Sequence, residues 1–98
     1  MSIDDPVERR CLIHAAGAFD LSNRRLLGDA IRTAAGNAPT VIEIDLGGVR
    51  FMDAGVIRIL LGYRDQLHGI GCALRIVNAN GLPARVLDLT RTRADLCG

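Results

Sequence analysis

Strand-like and helix-like segments alternate along this chain, and that alternation limits its fold more than any other feature. The segments with strand character are 10–19, 40–46 and 72–77, and those with helical periodicity are 22–36, 54–68 and 81–91. Alternating strands and helices with short connections are typical of an α/β layer with right-handed crossovers. We therefore predict one α/β domain over residues 1–98, a single small mixed β-sheet with helices packed on it, in the order β-α-β-α-β-α. Residues 1–8 are polar, and we expect them to be loose or to add a short edge strand.

The two longer helices have recognisable caps and apolar faces. Ser22 is placed to cap the first helix and Asp53 to cap the second. The apolar stripes at helical spacing are Leu27, Ala30, Ile31 and Ala34 in the first helix, and Val56, Ile59, Leu60, Tyr63 and Leu67 in the second. Gly47 and Gly48 predict a turn between the second strand and the second helix. That strand presents one apolar face, made of Ile42, Ile44 and Leu46.

A second apolar edge of the second helix has two possible explanations. Ile57 and Leu61 lie about 100–140° from the centre of the stripe, beside Arg64 and His68. Either a neighbouring helix covers them, or they form an exposed apolar ridge with basic edges that binds a partner protein. The residue pattern leaves both explanations open.

The composition argues against nucleic acid and membrane as partners. The formal net charge is +1 and aromatic residues make up 3% of the chain, so there is no strong electrostatic field and there are few rings for stacking on bases. No apolar run approaches the roughly 20 residues of a transmembrane helix, so we expect no direct membrane insertion. Cys11, Cys72 and Cys97 are odd in number and lack a C-x-x-C spacing. We expect a reduced, cytoplasmic chain whose cysteines are small core residues rather than partners in a regulatory disulfide.

The motifs of common enzymes and cofactor sites are absent from the sequence. All 12 basic residues are Arg, so the phosphate-binding G-x-x-x-x-G-K-[ST] loop cannot occur, and there is no G-x-G-x-x-G or G-x-S-x-G. No His, Cys or carboxylate cluster has metal-ligand spacing. Asp45 and Asp53 flank the Gly-Gly pair and could serve acid–base catalysis, but acids at strand ends and helix caps are much commoner. We therefore predict a protein that is not an enzyme, with no catalytic residue, metal or cofactor.

Three stretches in this order resemble the STAS domains of bacterial anti-sigma-factor antagonists. "GAFDLSN" resembles the G-x-[IL]-D-[LV] entry to the first helix. "VIEIDLGGVRFMDAGVIRILLG" resembles the strand, turn and helix block D-L-x-x-V-x-F-[IM]-D-[ST]-[SA]-G-[LI]. "HGIGCALRIVNANGLPARVLDLT" resembles the following strand and helix, so the likeness runs from about residue 10 to residue 96. Many relatives continue with a last strand and helix, and we expect a short version of the domain or a truncated one.

The resemblance implies a partner and a docking surface. In those antagonists a kinase-like anti-sigma factor binds around the start of the second helix and phosphorylates a Ser or Thr one or two positions after the Asp. Here those two positions are Ala54 and Gly55, so the resemblance implies that the phosphoacceptor is missing. From the resemblance and from the possible apolar ridge together, we expect the partner-binding residues to be Asp20, Ser22, Asp53, Ala54, Gly55, Val56, Ile57, Arg58 and Leu61.

The resemblance leaves two functions open. The first is a regulatory protein-binding module, an anti-sigma-factor antagonist or a homologue of one that phosphorylation cannot switch off at this position. The second is an accessory STAS subunit, either of a stress-signalling scaffold or of a lipid-trafficking ABC transporter. Oligomeric state does not follow from the sequence.

Overall fold

Three parallel strands in the order β1-β2-β3 form the sheet of the computed structural model, which describes residues 9–20 and 22–97. The elements are β1 (Arg10–Phe19), α1 (Arg24–Ala35), β2 (Val41–Met52), α2 (Ala54–His68), β3 (Ala73–Val77), α3 (Gly81–Leu89) and α4 (Arg93–Cys97). In the central register Ile13 pairs with Ile44, and Ile44 pairs with Ile76. The α/β class and the single small sheet are confirmed. Both strand pairs among the described residues are parallel, where a mixed sheet was expected, and the edge strand expected in residues 1–8 lies outside the described residues.

Strand β2 is longer than the sequence predicts, because Gly47 and Gly48 do not form a turn. The strand continues through both glycines to Met52, and its register against β1 shifts between His14 and Ala16. Gly48 pairs with Ala16 there, and a Cβ added to Gly48 would lie 3.3 Å from the Cβ of Ala16. The two glycines therefore accommodate an irregularity between closely spaced strands, a common use of glycine in sheets.

The core lies between the sheet and the helices and is built mainly on β2. The predicted apolar face of that strand is confirmed, since Ile42, Ile44 and Leu46 are all at most 1% exposed. The helices contribute further buried side chains, which include Leu27, Ile31, Ala34, Val56, Ile57, Leu60, Leu67, Leu87 and Leu96. Such burial supplies most of the stabilising free energy of a domain this small. No helix within residues 9–20 and 22–97 is long and apolar enough to cross a membrane.

The chain after β3 differs from the prediction of one helix over 81–91. Helix α3 ends at Leu89, and Arg91 adopts a left-handed backbone conformation with φ +59°, which no α-helix can continue through. The short helix α4 follows, and its Leu96 is 1% exposed. Helix α4 packs against both α2 and β3, so it closes one side of the core.

Candidate protein-docking site at the start of helix α2

The candidate site lies where β1 and β2 end side by side. Phe19 pairs with Met52 at the ends of the two strands, and the backbone N–H of Asp53 donates to the Phe19 carbonyl oxygen at 3.3 Å. The β1–α1 loop and the start of α2 are therefore neighbours at the carboxyl edge of the sheet. Loops at this edge are where open α/β sheets commonly bind their ligands.

Asp53 caps helix α2, as the sequence predicts. Its backbone is extended, and its Oδ1 accepts a hydrogen bond from the backbone N–H of Val56 at 3.0 Å. This bond satisfies one of the free N–H groups of the first helical turn. The helix bounds, Ala54–His68, are those predicted.

Ser22 does not cap helix α1, so that prediction is wrong. The Ser22 N–H and hydroxyl both donate to Asp20 Oδ1, at 2.9 and 2.6 Å, and they hold the pKa of that carboxyl below its usual value. Asn23 occupies the cap position, but its side chain donates to the carbonyl of Ala18 at 2.7 Å and accepts from the Asp20 N–H at 2.9 Å. The side chains of this loop are therefore used to fix the loop against β1.

Arg24 lies over the first turn of α2, beside Gly55. A Cβ added to Gly55 would lie 2.7 Å from Arg24 Nη1 and 3.2 Å from Asp53 Oδ1. A side chain at residue 55 would thus have to displace the flexible end of Arg24. Ala54, which precedes Gly55, is exposed. Sequence reasoning missed Arg24, because nothing in the pattern of α1 indicates that its first residue reaches α2.

The exposed face of α2 is narrower than the predicted docking surface. Val56 and Ile57 are 1% and 2% exposed, so neither offers much side-chain surface to a partner. Of the two explanations for the second apolar edge of α2, burial favours the covered one, because Ile57 packs in the core and Leu61 is half-buried. Of the remaining predicted residues on α2, Arg58 is exposed.

A shallow groove of about 210 Å³ runs between α2 and the turn that joins α3 to α4. Helix α2 lines it with Ala54, Ile57, Arg58 and Leu61, and the turn lines it with Thr90 and Thr92. We call this the α2–α4 groove. The Thr90 hydroxyl donates a hydrogen bond to the Val86 carbonyl oxygen at 2.8 Å and lies 2.8 Å from the Thr92 hydroxyl, and these contacts tie the turn to the end of α3. The two threonines were not predicted, because the sequence pattern predicts a helix that continues to residue 91, whereas α3 ends at Leu89.

The alternative of a catalytic carboxylate pair does not fit the structure. Asp45 and Asp53 lie eight positions apart in an extended segment, which spans roughly 25 Å. Asp45 instead accepts from the Gly47 N–H at 2.8 Å and the Asn78 amide at 3.1 Å, and these bonds, with His14 nearby, lower the pKa of its carboxyl. Within the part of the chain that the structure describes, no group of three or more His, Cys, Asp or Glu side chains could hold a metal ion.

Comparison with known proteins defines the class of protein. The sequence model of the family described as "Mlab, STAS domain" matches residues 5–94, and the chain belongs to this family. The fold is similar to that of a solved protein described as "Structure of the Anti-Sigma Factor Antagonist SpoIIAA in its Unphosphorylated Form", with a TM-score of 0.72 and 20% sequence identity. That match covers 87% of this chain and 75% of the other chain. No curated protein sequence matches this chain. The resemblance to STAS domains is confirmed, and the structural likeness extends to the fold.

Proposed function

We propose that this STAS domain is a regulatory protein-binding module, an anti-sigma-factor antagonist or a homologue of one, whose docking surface works without phosphorylation. The proposal rests on the residues at the start of α2. The cap at Asp53 and the helix are intact, but the two positions that follow the cap are Ala54 and Gly55, neither of which has a hydroxyl group. The partner we propose is a kinase-like anti-sigma factor.

The physical argument concerns what a phosphate does at a docking surface. A phosphoserine or phosphothreonine carries about −1.5 to −2 charges, and placed in an interface it disrupts the contact through desolvation and like-charge repulsion. A hydroxyl after the helix cap would therefore give the partner a way to release itself. No Ser or Thr occurs anywhere from Gly47 to Tyr63. Under this proposal the surface made by Asp20, Ala54, Arg58 and Leu61 stays competent for binding at all times.

The test is to reconstitute the complex with the cognate kinase-like anti-sigma factor and to add ATP and magnesium. We expect the two proteins to co-elute in size-exclusion chromatography both before and after ATP is added. We also expect mass spectrometry to find no phosphate in residues 47–63. Loss of the complex on addition of ATP, with phosphate on this chain, would contradict the proposal. Ser22 is the residue to inspect first in that case, because it is exposed and lies in the neighbouring loop.

A second candidate is the accessory STAS subunit of a stress-signalling scaffold or of a lipid-trafficking ABC transporter. The same missing hydroxyl favours it, because a permanent subunit needs no phosphorylation switch. The two candidates differ in the protein that binds at α2. Stoichiometric co-purification with a transporter ATPase, and no binding to any kinase-like anti-sigma factor, would establish the second candidate and exclude the first.

A further inference from the structure

A second groove, on the other side of α2, lies between that helix and α1. It has a volume of about 310 Å³. Helix α1 lines it with Arg24, Arg25 and Arg32, and α2 lines it with Ile59, Gly62 and Tyr63. We call it the α1–α2 groove. No residue lines both this groove and the α2–α4 groove, although the two surfaces adjoin at Arg24, which also lies over the first turn of α2.

The walls of the α1–α2 groove carry more positive charge than their own acids neutralise. Arg32 is paired with Asp29, donates to the Tyr63 hydroxyl, and has its guanidinium carbon 6.0 Å from the centre of the Tyr63 ring. Arg24 and Arg25 have no carboxylate within 4.0 Å among the described residues. Two guanidinium groups at one end of the groove are therefore available to an external anion, and Arg geometry suits carboxylates in particular.

The floor of the groove is kept open by a glycine that the fold itself does not require. Gly62 lies in the middle of α2, where glycine costs about 0.8–1 kcal/mol relative to alanine. A Cβ added to Gly62 meets no atom within 4 Å, so packing within the chain does not explain the glycine. Gly28 differs, because a Cβ there would lie 2.9 Å from the Tyr63 hydroxyl oxygen. Ile59 and Tyr63 line the same groove, and the open space over Gly62 leaves room for an apolar side chain of a partner.

We propose that the α1–α2 groove binds an acidic amphipathic segment of a partner protein. Carboxylates of the segment pair with Arg24 and Arg25, and an apolar side chain lies over Gly62 against Ile59 and Tyr63. The proposal rests on the proposed function in one respect, namely that this domain acts by binding a protein. Charge complementarity selects the occupant, because the groove joins an excess of guanidinium groups to a small apolar floor.

The test uses a short fluorescent peptide with Glu and Leu at helical spacing, and a matched peptide with every Glu replaced by Gln. Binding to the isolated full chain is followed by fluorescence anisotropy and by amide NMR shifts. We expect the Glu peptide to bind more tightly than its Gln counterpart, increasingly so at low salt. We also expect the largest shifts at Gly28 and Gly62. Equal binding of the two peptides, shifts confined to other surfaces, or tighter binding of a duplex RNA or of anionic vesicles than of the Glu peptide would overturn the proposal.

Three variants separate charge, shape and non-specific effects. Arg25→Glu should weaken binding of the Glu peptide by about tenfold, which corresponds to ~1.4 kcal/mol. Gly62→Leu should weaken binding of the Glu peptide by a similar factor, because the leucine side chain fills the floor of the groove. It should not lower thermal stability, since leucine is a better helix former than glycine. Arg85→Glu on α3 makes the same charge change at an exposed residue outside the groove, and its affinity for the Glu peptide should stay within about twofold of the wild type. An equal loss in Arg85→Glu, or unchanged binding in Gly62→Leu, would refute the site.

The outcome does not depend on the proposed docking at the start of α2. Ala54→Glu changes the α2–α4 groove and should leave binding of the peptide unchanged. Loss of peptide binding in Arg25→Glu together with retention in Ala54→Glu would establish two separate surfaces. Failure of the peptide to bind at all would end the α1–α2 proposal, while the reconstitution with the anti-sigma factor would still decide the proposed function.

Discussion

Replacing Ile57 by alanine tests directly whether this side chain belongs to the core or to a docking surface. Ile57 is 2% exposed, and the change removes three carbon atoms. At about 0.8 kcal/mol per buried methylene, the lost transfer free energy is about 2.4 kcal/mol. The cavity left behind adds to this cost, so we expect the free energy of unfolding to fall by about 3–4 kcal/mol. Leu61 is half-buried on the same helix, and Leu61→Ala should cost less than half as much.

The assay is urea unfolding followed by far-ultraviolet circular dichroism on the wild type and both variants. The midpoint should fall in Ile57→Ala with little change in the slope, because a small cavity alters stability more than the surface exposed on unfolding. Stability in a domain of this kind is typically about 5–15 kcal/mol, so the variant should still fold at room temperature. A loss below about 1 kcal/mol in Ile57→Ala, or equal losses in the two variants, would refute the packing of α2 described here.

Three further predictions concern the cap, the acids and the thiols. Asp53→Ala should lower the free energy of unfolding by about 1 kcal/mol, because it leaves the Val56 N–H without its partner. Asp53→Ser keeps a capping oxygen and should lose only a small part of this, so equal losses in the two variants would contradict the cap. Hydrogen bonds from Gly47 and Asn78 lower the pKa of Asp45, so its contribution to stability is present at neutral pH and is lost as the pH falls below about 4. The free energy of unfolding of Asp45→Asn should therefore depend less on acid pH than that of the wild type, and an equal dependence would contradict this role of Asp45. Burial, together with Cys11 nearby, raises the pKa of the Cys72 thiol. Mass spectrometry after timed iodoacetamide treatment should therefore find Cys72 alkylated more slowly than the half-buried Cys11, and equal rates would contradict the burial of Cys72.

The parts of the fold that the sequence predicts well are those governed by local physical chemistry. Helix α2 was predicted with its observed bounds, because Asp53 supplies a cap and Gly69 follows the last apolar residue of the stripe. The apolar face of β2 follows from the period of a strand, so Ile42, Ile44 and Leu46 were correctly predicted to share one face. Each of these predictions needs only neighbours within a few positions.

Other predictions failed, or were left open, because they depend on contacts between distant parts of the chain. A Gly-Gly pair ordinarily indicates a turn, but Gly48 continues the strand because Ala16 of β1 lies close against it. The sequence pattern leaves the burial of Ile57 open, because elements that pack against α2, such as α4, come more than thirty residues later. Thr90 and Thr92 line the groove into which Ile57 also faces, and α4 is too short for its apolar period to be recognised.

The candidate site likewise has features that the sequence shows and features that depend on packing between distant elements. The missing hydroxyl at Ala54 and Gly55 can be read from the sequence, because it depends only on alignment with the STAS motif. The position of Arg24 over Gly55 cannot, because it depends on how α1 and α2 pack. This position has a practical consequence for design. A negative charge introduced at residue 55 would meet the Arg24 guanidinium, whereas one introduced at the exposed Ala54 would be presented to the partner.

The most direct test of the central claim is therefore the affinity of the cognate partner for Ala54→Glu and Ala54→Gln, measured by isothermal titration calorimetry against the wild type. The two side chains are nearly equal in size, and a carboxylate in the first turn of a helix is favourable, so neither change should unfold the domain. If the start of α2 is a docking surface that works without phosphate, the wild type binds unphosphorylated, Ala54→Gln stays within about threefold of it, and Ala54→Glu binds at least about tenfold more weakly, a difference of ~1.4 kcal/mol. Equal affinity of all three proteins would show that the partner does not use this surface, and would contradict the account.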